Sequence, residues 1–175
     1  MSRYLPDQDI KSQMIRVNQA GEYGAVQIYK GQLAVLGKTE IGHLLEHMLA
    51  QEKEHLKHFN AEIVKNRIRP TALSPLWAIA GFALGAGTAL LGKKAAMACT
   101  VAVEEVISEH YRDQEARLDE NDQDLKNLIR YCRLEEEEHH QISVEQNARQ
   151  APFYPLLSGF IKGSTRLAIA LSKRF

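Results

Sequence analysis

The sequence predicts an all-α protein that forms a single domain of 175 residues. Apolar residues recur three and four positions apart, which is the spacing of one face of a helix, and no stretch shows the sustained alternation of a strand. Only 11 glycines and 5 prolines interrupt this pattern. With 45% apolar and 25% charged residues, the composition is that of a globular protein and excludes a disordered chain or a fibrous repeat.

Six helices are expected, because six periodic segments are separated by glycine, proline or short polar turns. Asp7 or Asp9 can cap the first helix. Ser74 followed by Pro75 is a helix-start signal, a capping hydroxyl before a proline at the first helical position. The expected helices cover residues 7–36, 39–69, 74–92, 94–118, 123–149 and 152–175.

The charges of the chain balance, with 22 basic and 22 acidic residues. The molecule therefore lacks the overall positive field used to bind nucleic acid, and no nucleic-acid partner is expected. Two cysteines, Cys99 and Cys132, do not make a disulfide framework, and the N-terminal residues do not read as a signal or transit peptide. A reducing, cytoplasmic setting is expected.

Four of the expected helices carry acidic residues on their apolar stripe, where core residues belong. Four buried carboxylates would cost several kcal/mol each if they were ionised and unpaired. Lysine and arginine are absent from these stripes near the acids, whereas two divalent cations would balance four carboxylates. The sequence therefore predicts a dinuclear metal site whose ligands are Glu22, Glu52, His55, Glu104, Glu136 and His139.

The arrangement of these residues is typical of di-iron and di-manganese carboxylate bundles, in which two helices give one Glu each and two others give Glu-x-x-His. Glu22 and Glu52 are 30 residues apart, and Glu104 and Glu136 are 32 apart, so the two halves are interpreted as a degenerate repeat that forms a pseudo-twofold site. We interpret the tyrosines of this repeat as core aromatics with a hydroxyl partner. The aligned pairs are Ala20 with Ala102, Tyr29 with Tyr111 and Gln32 with Gln114.

Two further Glu-x-x-His pairs fit the metal site less well. Glu40 with His43 stands at a helix start, outside the 30-residue spacing. Glu137 with His140 shares its face with basic residues and should face water.

Carboxylate and imidazole ligands suit iron or manganese better than zinc, and iron is the expected metal. A reduced di-iron centre with open positions can carry out hydroxylase, oxidase, desaturase or storage chemistry, and the ligands alone do not choose among these.

Two segments distinguish this chain from a plain bundle. Residues 70–92 carry no charge, and residues 152–175 combine apolar side chains with basic ones only. The 17 residues from Leu76 to Gly92 would extend about 25 Å as a helix, less than the hydrocarbon core of a bilayer, and Gly81-x-x-x-Gly85 permits close helix packing. We expect both segments to lie on an anionic membrane surface; a subunit interface is the alternative.

Four blocks of the chain resemble the demethoxyubiquinone hydroxylases of ubiquinone biosynthesis, and the resemblance covers nearly the whole sequence. The blocks are NQAGEYGA around Glu22, QEKEHLKHF around Glu52, AAMACTVAVEE around Glu104 and EEEEHH around Glu136. All six expected ligand positions hold the residue types of that family. The resemblance implies a ferritin-like four-helix bundle with two additional hydrophobic or amphipathic helices.

The same resemblance implies a di-iron monooxygenase that hydroxylates the ring of 5-demethoxyubiquinone or its quinol, a 2-polyprenyl-3-methyl-6-methoxy-1,4-benzoquinone. The reaction uses O2 and two electrons from an external reductant, for which NADH is a candidate. The implied partners are a lipophilic quinone and the membrane surface, with a homo-oligomer or other ubiquinone-biosynthesis proteins as further candidates. Because the chain begins close to its first helix, we expect a bacterial enzyme bound peripherally at the cytoplasmic face of the inner membrane.

Two other functions remain open from the sequence. One is a ferritin-like iron oxidase or storage protein, although the uncharged helix and the basic amphipathic tail do not suit a polar shell. The other is a non-enzymatic helical scaffold on the membrane surface, whose buried acids pair only with one another.

Overall fold

The computed structural model describes the backbone of residues 7–175 and the side chains from residue 10 onward, so the caps predicted at Asp7 or Asp9 lie outside the described side chains. Over this range the protein is all-α, as the sequence predicts, and no strand is present. The α-helices are α1 (Asp7–Leu36), α2 (Gly42–Lys65), α3 (Ser74–Leu90), α4 (Lys93–Glu115), α5 (Gln123–Glu145) and α6 (Tyr154–Ser172).

Two helical hairpins form the central bundle. The short loop at 37–41 returns the chain from α1 to α2, the segment at 116–122 returns it from α4 to α5, and the two hairpins contact each other through α1–α4 and α2–α5. Helix α3 packs mainly along α1 and α6 mainly along α4, so each added helix covers one hairpin. This arrangement agrees with a ferritin-like helical bundle.

Apolar side chains fill the bundle in two main clusters, one containing Leu45 and Met97 and the other containing Phe59 and Ile129. On α2, the residues between Leu45 and Phe59 include buried polar side chains. The hydrophobic core is therefore divided along the bundle axis by a polar layer.

The helix boundaries agree with the prediction to within a few residues, and two differences have local causes. Helix α2 begins at Gly42 because the preceding residues form turns, in which the Thr39 amide donates to the Leu36 carbonyl at 2.9 Å. Helix α5 ends at Glu145, earlier than expected, because Asn147 adopts a left-handed conformation with φ of 65°.

The start of α3 also differs in detail from the predicted cap. Leu73 occupies the capping position, and the Ser74 hydroxyl donates backwards to the Thr71 carbonyl at 2.9 Å. Pro75 lies within the first turn, where its missing amide hydrogen is not needed.

Small residues bring α3 close to the backbone of α1. A Cβ on Gly81 would lie 2.8 Å from the Gly24 carbonyl oxygen, and one on Gly85 would collide with the Ile28 carbonyl. The Gly-x-x-x-Gly spacing, which permits close packing, lies at this contact.

Among the helices of residues 7–175, none combines the length and the apolar character needed to cross a bilayer. Large apolar side chains are nevertheless exposed on and beside α3 and α6. They are Leu76, Ile79, Phe82, Leu90, Leu91, Phe153, Leu156, Phe160 and Leu167.

The basic side chains of α6 do not all point away from the protein. Lys162 lies 2.7 Å from Glu105, and Arg166 lies 3.2 Å from Glu109, both on α4. Much of the positive charge expected on this helix is therefore paired within the molecule, and the outer face of α6 is mainly apolar.

Candidate metal centre

The six side chains predicted as metal ligands lie together in the polar layer of the bundle. At most 2% of each residue is exposed, although four of them are acids. They project inward from four helices because each occupies the apolar stripe of its helix. They are Glu22 on α1, Glu52 and His55 on α2, Glu104 on α4, and Glu136 and His139 on α5.

The Nδ1 atoms of the two histidines mark two positions in the centre. His55 Nδ1 lies 3.2 Å from Glu136 Oε1 and 3.4 Å from Glu22 Oε2. Glu52 Oε2 lies 3.8 Å from the same nitrogen. At the second position, His139 Nδ1 lies 3.2 Å from Glu52 Oε1 and 3.3 Å from Glu136 Oε2.

Glu52 and Glu136 therefore direct one oxygen to each position, as carboxylates do when they bridge two ions. Glu22 belongs to the His55 position, and Glu104 belongs to the His139 position. In each group the candidate ligand atoms lie within 4.8 Å of one another. The groups are Glu22, Glu52, His55 and Glu136, and Glu52, Glu104, Glu136 and His139.

Two buried tyrosines hold Glu104 and Glu22, the terminal carboxylates, which each belong to one position only. The Tyr29 hydroxyl donates to Glu104 Oε1 at 3.1 Å, and the Tyr111 hydroxyl donates to Glu22 Oε1. Each tyrosine thus extends from one half of the repeat to the terminal carboxylate of the other half.

A second pair of contacts follows the same relation between α1 and α4. Gln32 donates to Thr100 at 3.4 Å, and Asn18 donates to Gln114 at 2.7 Å. Because both pairs join equivalent positions of the two halves, the contacts support the degenerate repeat inferred from the sequence.

The outer nitrogens of the two histidines have partners that sequence reasoning did not assign. His55 Nε2 lies 2.8 Å from Glu135 Oε2, and His139 Nε2 lies 3.0 Å from Gln51 Oε1. The available signal was position, since each partner directly precedes a Glu-x-x-His motif.

The electrostatics of the centre show an excess of negative charge. Burial raises the pKa of Glu52 and of Glu104 well above the ordinary value, and neighbouring carboxylates raise both further. Burial also opposes ionisation of Glu136, but the nearby imidazoles of His139 and His55 favour its charged form and lower its pKa. Without added positive charge, the centre retains protons on some of its acids and imidazoles.

The donor atoms fit a pair of divalent cations. Five buried oxygen and nitrogen atoms of these side chains, all potential metal ligands, have no hydrogen-bond partner in the structure. Leaving such atoms without a partner costs free energy unless a ligand binds them. They are Glu22 Oε2, Glu52 Oε1 and Oε2, His55 Nδ1 and Glu136 Oε2. Carboxylate oxygens with one imidazole at each position suit iron or manganese.

The rival Glu-x-x-His pairs lie away from this centre. Glu40 forms an ion pair with Lys93 at 2.7 Å. Glu137 forms ion pairs with Arg112 at 2.9 Å and Arg133 at 2.8 Å. Neither pair contributes a side chain to the buried cluster.

Cys132 lies beside the His55 position. Its sulfur lies within 4.8 Å of candidate ligand atoms of Glu22 and His55. Burial raises the pKa of the thiol, which keeps it protonated and apolar in character. Cys132 is completely buried.

An apolar cavity of about 180 Å³ adjoins the centre between α1, α3, α4 and α6. Tyr111 lines this cavity and also donates to Glu22, so one side chain connects the two sites. His110 also lines it, and burial lowers its pKa to about 4. The cavity could not be read from the sequence because four separate helices form its walls.

Comparisons with known proteins find similarity over nearly the whole chain. Residues 9–172 match the family model described as ubiquinone biosynthesis protein COQ7. A 3-demethoxyubiquinol 3-hydroxylase of Rhodospirillum rubrum is 57% identical over 162 residues, which cover 91% of this chain and 76% of that protein.

Eukaryotic relatives are also similar over most of their length. The human NADPH-dependent 3-demethoxyubiquinone 3-hydroxylase, a mitochondrial protein, is 54% identical over 165 residues, which cover 92% of this chain and 76% of the human protein. The mitochondrial 5-demethoxyubiquinone hydroxylase of Saccharomyces cerevisiae is 39% identical over 178 residues, with 92% and 76% covered.

Proposed function

Because the chain belongs to the COQ7 family of ubiquinone biosynthesis proteins, we propose that it is a di-iron demethoxyubiquinone hydroxylase. One oxygen atom of O2 is added to the quinone ring, and the other leaves as water after two electrons and two protons are supplied. Relatives from a bacterium, from human and from yeast carry hydroxylase names. The proposed iron ligands are Glu22, Glu52, His55, Glu104, Glu136 and His139.

The observation that carries this proposal is the pair of carboxylates that face both histidines. Glu52 and Glu136 each direct one oxygen to His55 Nδ1 and the other to His139 Nδ1. Iron held by these residues would supply the ability to bind and reduce O2. A scaffold that only paired its acids would have no need of two imidazoles aimed at the same carboxylates.

The side chains of the protein then have separate tasks. Tyr29 and Tyr111 keep the two terminal carboxylates in place through hydrogen bonds. The apolar walls of the cavity exclude water and leave space for a ring beside Tyr111.

The same cavity is evidence for a lipophilic substrate. Trp77 on α3 and Ile169 on α6 line it, and these two helices carry the exposed apolar side chains described above. We propose that α3 and α6 lie on a membrane surface and that the quinone reaches the centre between them. The eukaryotic relatives are mitochondrial; for this chain we propose a peripheral position on the inner membrane.

The electrons come from an external reductant in this proposal. NADH is the candidate from the sequence, whereas the human relative is named as NADPH-dependent. A nicotinamide nucleotide is the common chemistry, and comparing NADH with NADPH in one assay separates the two.

Anaerobic reconstitution with Fe2+, followed by O2 and a demethoxylated quinone, tests the proposal. We expect two irons per chain and a product that carries one added ring oxygen, detected by mass spectrometry with 18O2. Binding of many irons by a large hollow assembly would support storage instead. Protein that neither binds Fe2+ nor gains thermal stability from it would support the scaffold.

Substitutions in the centre give a matched comparison. Glu22→Ala and Glu136→Ala are expected to abolish turnover, because each removes a ligand of the His55 position. Glu137→Ala is the control, since Glu137 faces outward and its surface ion pairs contribute at most about 1 kcal/mol. Equal loss of turnover in all three variants would contradict the assigned inner face of α5.

A further inference from the structure

The two histidines of the centre are held from outside by different chemical groups. His55 Nε2 lies 2.8 Å from a carboxylate oxygen of Glu135, and His139 Nε2 lies 3.0 Å from the amide oxygen of Gln51. Each partner directly precedes one of the bridging glutamates in the sequence, so the two contacts are equivalent in position. They differ in charge, because a carboxylate stands at one and a neutral amide at the other.

This difference changes the strength of each imidazole as a ligand. Because both Nδ1 atoms face the interior, each ring carries its hydrogen on Nε2 and donates it outward when a metal binds. A carboxylate acceptor attracts that hydrogen more strongly than an amide oxygen does, and so leaves more electron density on Nδ1. It also holds the ring in one tautomer and one orientation.

The surroundings of Glu135 direct its charge towards His55. Among the residues that the structure describes, Glu135 forms an ion pair with His55 and with no lysine or arginine. The Tyr131 ring stands edge-on to the His55 ring, with centroids 5.6 Å apart. By contrast, Glu137 on the same helix is neutralised by two arginines.

On the basis of the dinuclear centre proposed above, we infer that the two metal positions are unequal. The position of His55, with Glu22, fills first and holds its ion more tightly because of Glu135. The position of His139, with Glu104, fills second. The tighter ion therefore lies on the cavity side, where Tyr111 joins Glu22 to the cavity wall.

Titration of the metal-free full-length protein with Mn2+, followed by electron paramagnetic resonance, tests this inference without turnover. In the wild type, the first equivalent should give the signal of isolated Mn2+, and the second should convert it to that of a coupled pair. Glu135→Gln should weaken the first step about 10- to 100-fold. The two steps then merge, so that at one equivalent empty protein, singly loaded protein and coupled pairs are present together.

Reciprocal substitutions distinguish an effect of the outer hydrogen-bond partner on metal affinity from general damage to the fold. Gln51→Glu should strengthen the second step and also merge the two. The double variant, Glu135→Gln with Gln51→Glu, should restore two separate steps, because it only exchanges the carboxylate and the amide. Glu138→Gln makes the same chemical change at an exposed position of α5 and should titrate as the wild type does.

The order of filling is read separately with Zn2+ and 15N-histidine NMR. The His55 resonances, assigned by their change in Glu135→Gln, should shift at the first equivalent in the wild type, and those of His139 should shift first in the double variant. Two ions that bind with indistinguishable steps in the wild type and in every variant would overturn the inference and leave the dinuclear centre intact. Failure to bind any ion would overturn the proposed function itself.

Discussion

Tyr29 and Tyr111 occupy equivalent positions in the two halves of the chain but have different neighbours. Both are buried, both donate to a terminal carboxylate, and burial raises the pKa of both hydroxyls well above the ordinary value. The Tyr29 ring stands edge-on to His139, whereas the Tyr111 ring stacks on Phe59. Only Tyr111 lines the apolar cavity. Both tyrosines would therefore support the proposed metal ligands, and only Tyr111 would also contact a substrate in the cavity.

Replacing each tyrosine with phenylalanine should divide these two effects. A hydrogen bond to a charged group contributes about 1.5–3 kcal/mol, so Tyr29→Phe and Tyr111→Phe should both weaken Mn2+ binding at least about tenfold. Only Tyr111→Phe should also change the KM for the quinone, because its hydroxyl adjoins the cavity. Metal titration and steady-state kinetics measure the two quantities, and an equal change of KM in both variants would contradict the assignment of the cavity.

At this scale the sequence identified the residues but not their arrangement. Four acids on apolar stripes were sufficient to single out the centre, since burial of a carboxylate is costly anywhere else. Which glutamates face both histidines depends on the distances between helices, and these are set by packing that a single sequence does not display. Glu135 and Gln51 were missed for a related reason, because half-buried polar residues have no periodic signature.

At the scale of elements, the contact between α1 and α3 depends on glycines. Gly85 lies against the Ile28 carbonyl, whereas a Cβ on Gly87 would meet no atom within 4 Å. Both residues lie in the same helix, so their helix propensities are alike and only their surroundings differ. The spacing of glycines permitted close packing of this helix, but it did not say which helix would be the partner.

Gly85→Ala and Gly87→Ala should therefore change stability in opposite directions. A methyl group at Gly85 forces the helices apart, which typically costs about 1–3 kcal/mol. The same group at Gly87 improves helix formation by about 0.5–1 kcal/mol. Urea unfolding followed by circular dichroism measures both changes, and a Gly85→Ala protein as stable as the wild type would show that α3 packs on α1 less closely than described.

At the scale of the whole molecule, the exposed apolar side chains are concentrated on α3 and α6 and beside them. Val64 is similarly exposed, at 76%, but belongs to α2, which packs on α1 and α5. Lys162 and Arg166 are paired with acids of α4, so reversing their charge would disturb the fold as well as any attraction to lipid. Apolar substitutions on α6 are the more direct probe of the surface.

Leu156→Ser combined with Phe160→Ser should weaken binding to anionic vesicles. Each side chain contributes about 1.5–3 kcal/mol when it leaves water, so the double variant should bind at least tenfold more weakly in a sedimentation assay. Val64→Ser is the control and should bind as the wild type does. If the double variant retains full vesicle binding but changes its oligomeric state in analytical ultracentrifugation, the surface is a subunit interface instead.

The two carboxylates that face both histidines have a consequence for assembly. Glu52 comes from the first hairpin and Glu136 from the second, so each ion would take donors from both parts of the chain. A fragment ending at Gly92 and a fragment of the remaining residues would each hold only part of the proposed ligands. The dinuclear site would form only when the two fragments associate. Bound ions would thus hold the two hairpins together. Their removal by a chelator should increase hydrogen exchange first at the contact between α2 and α5.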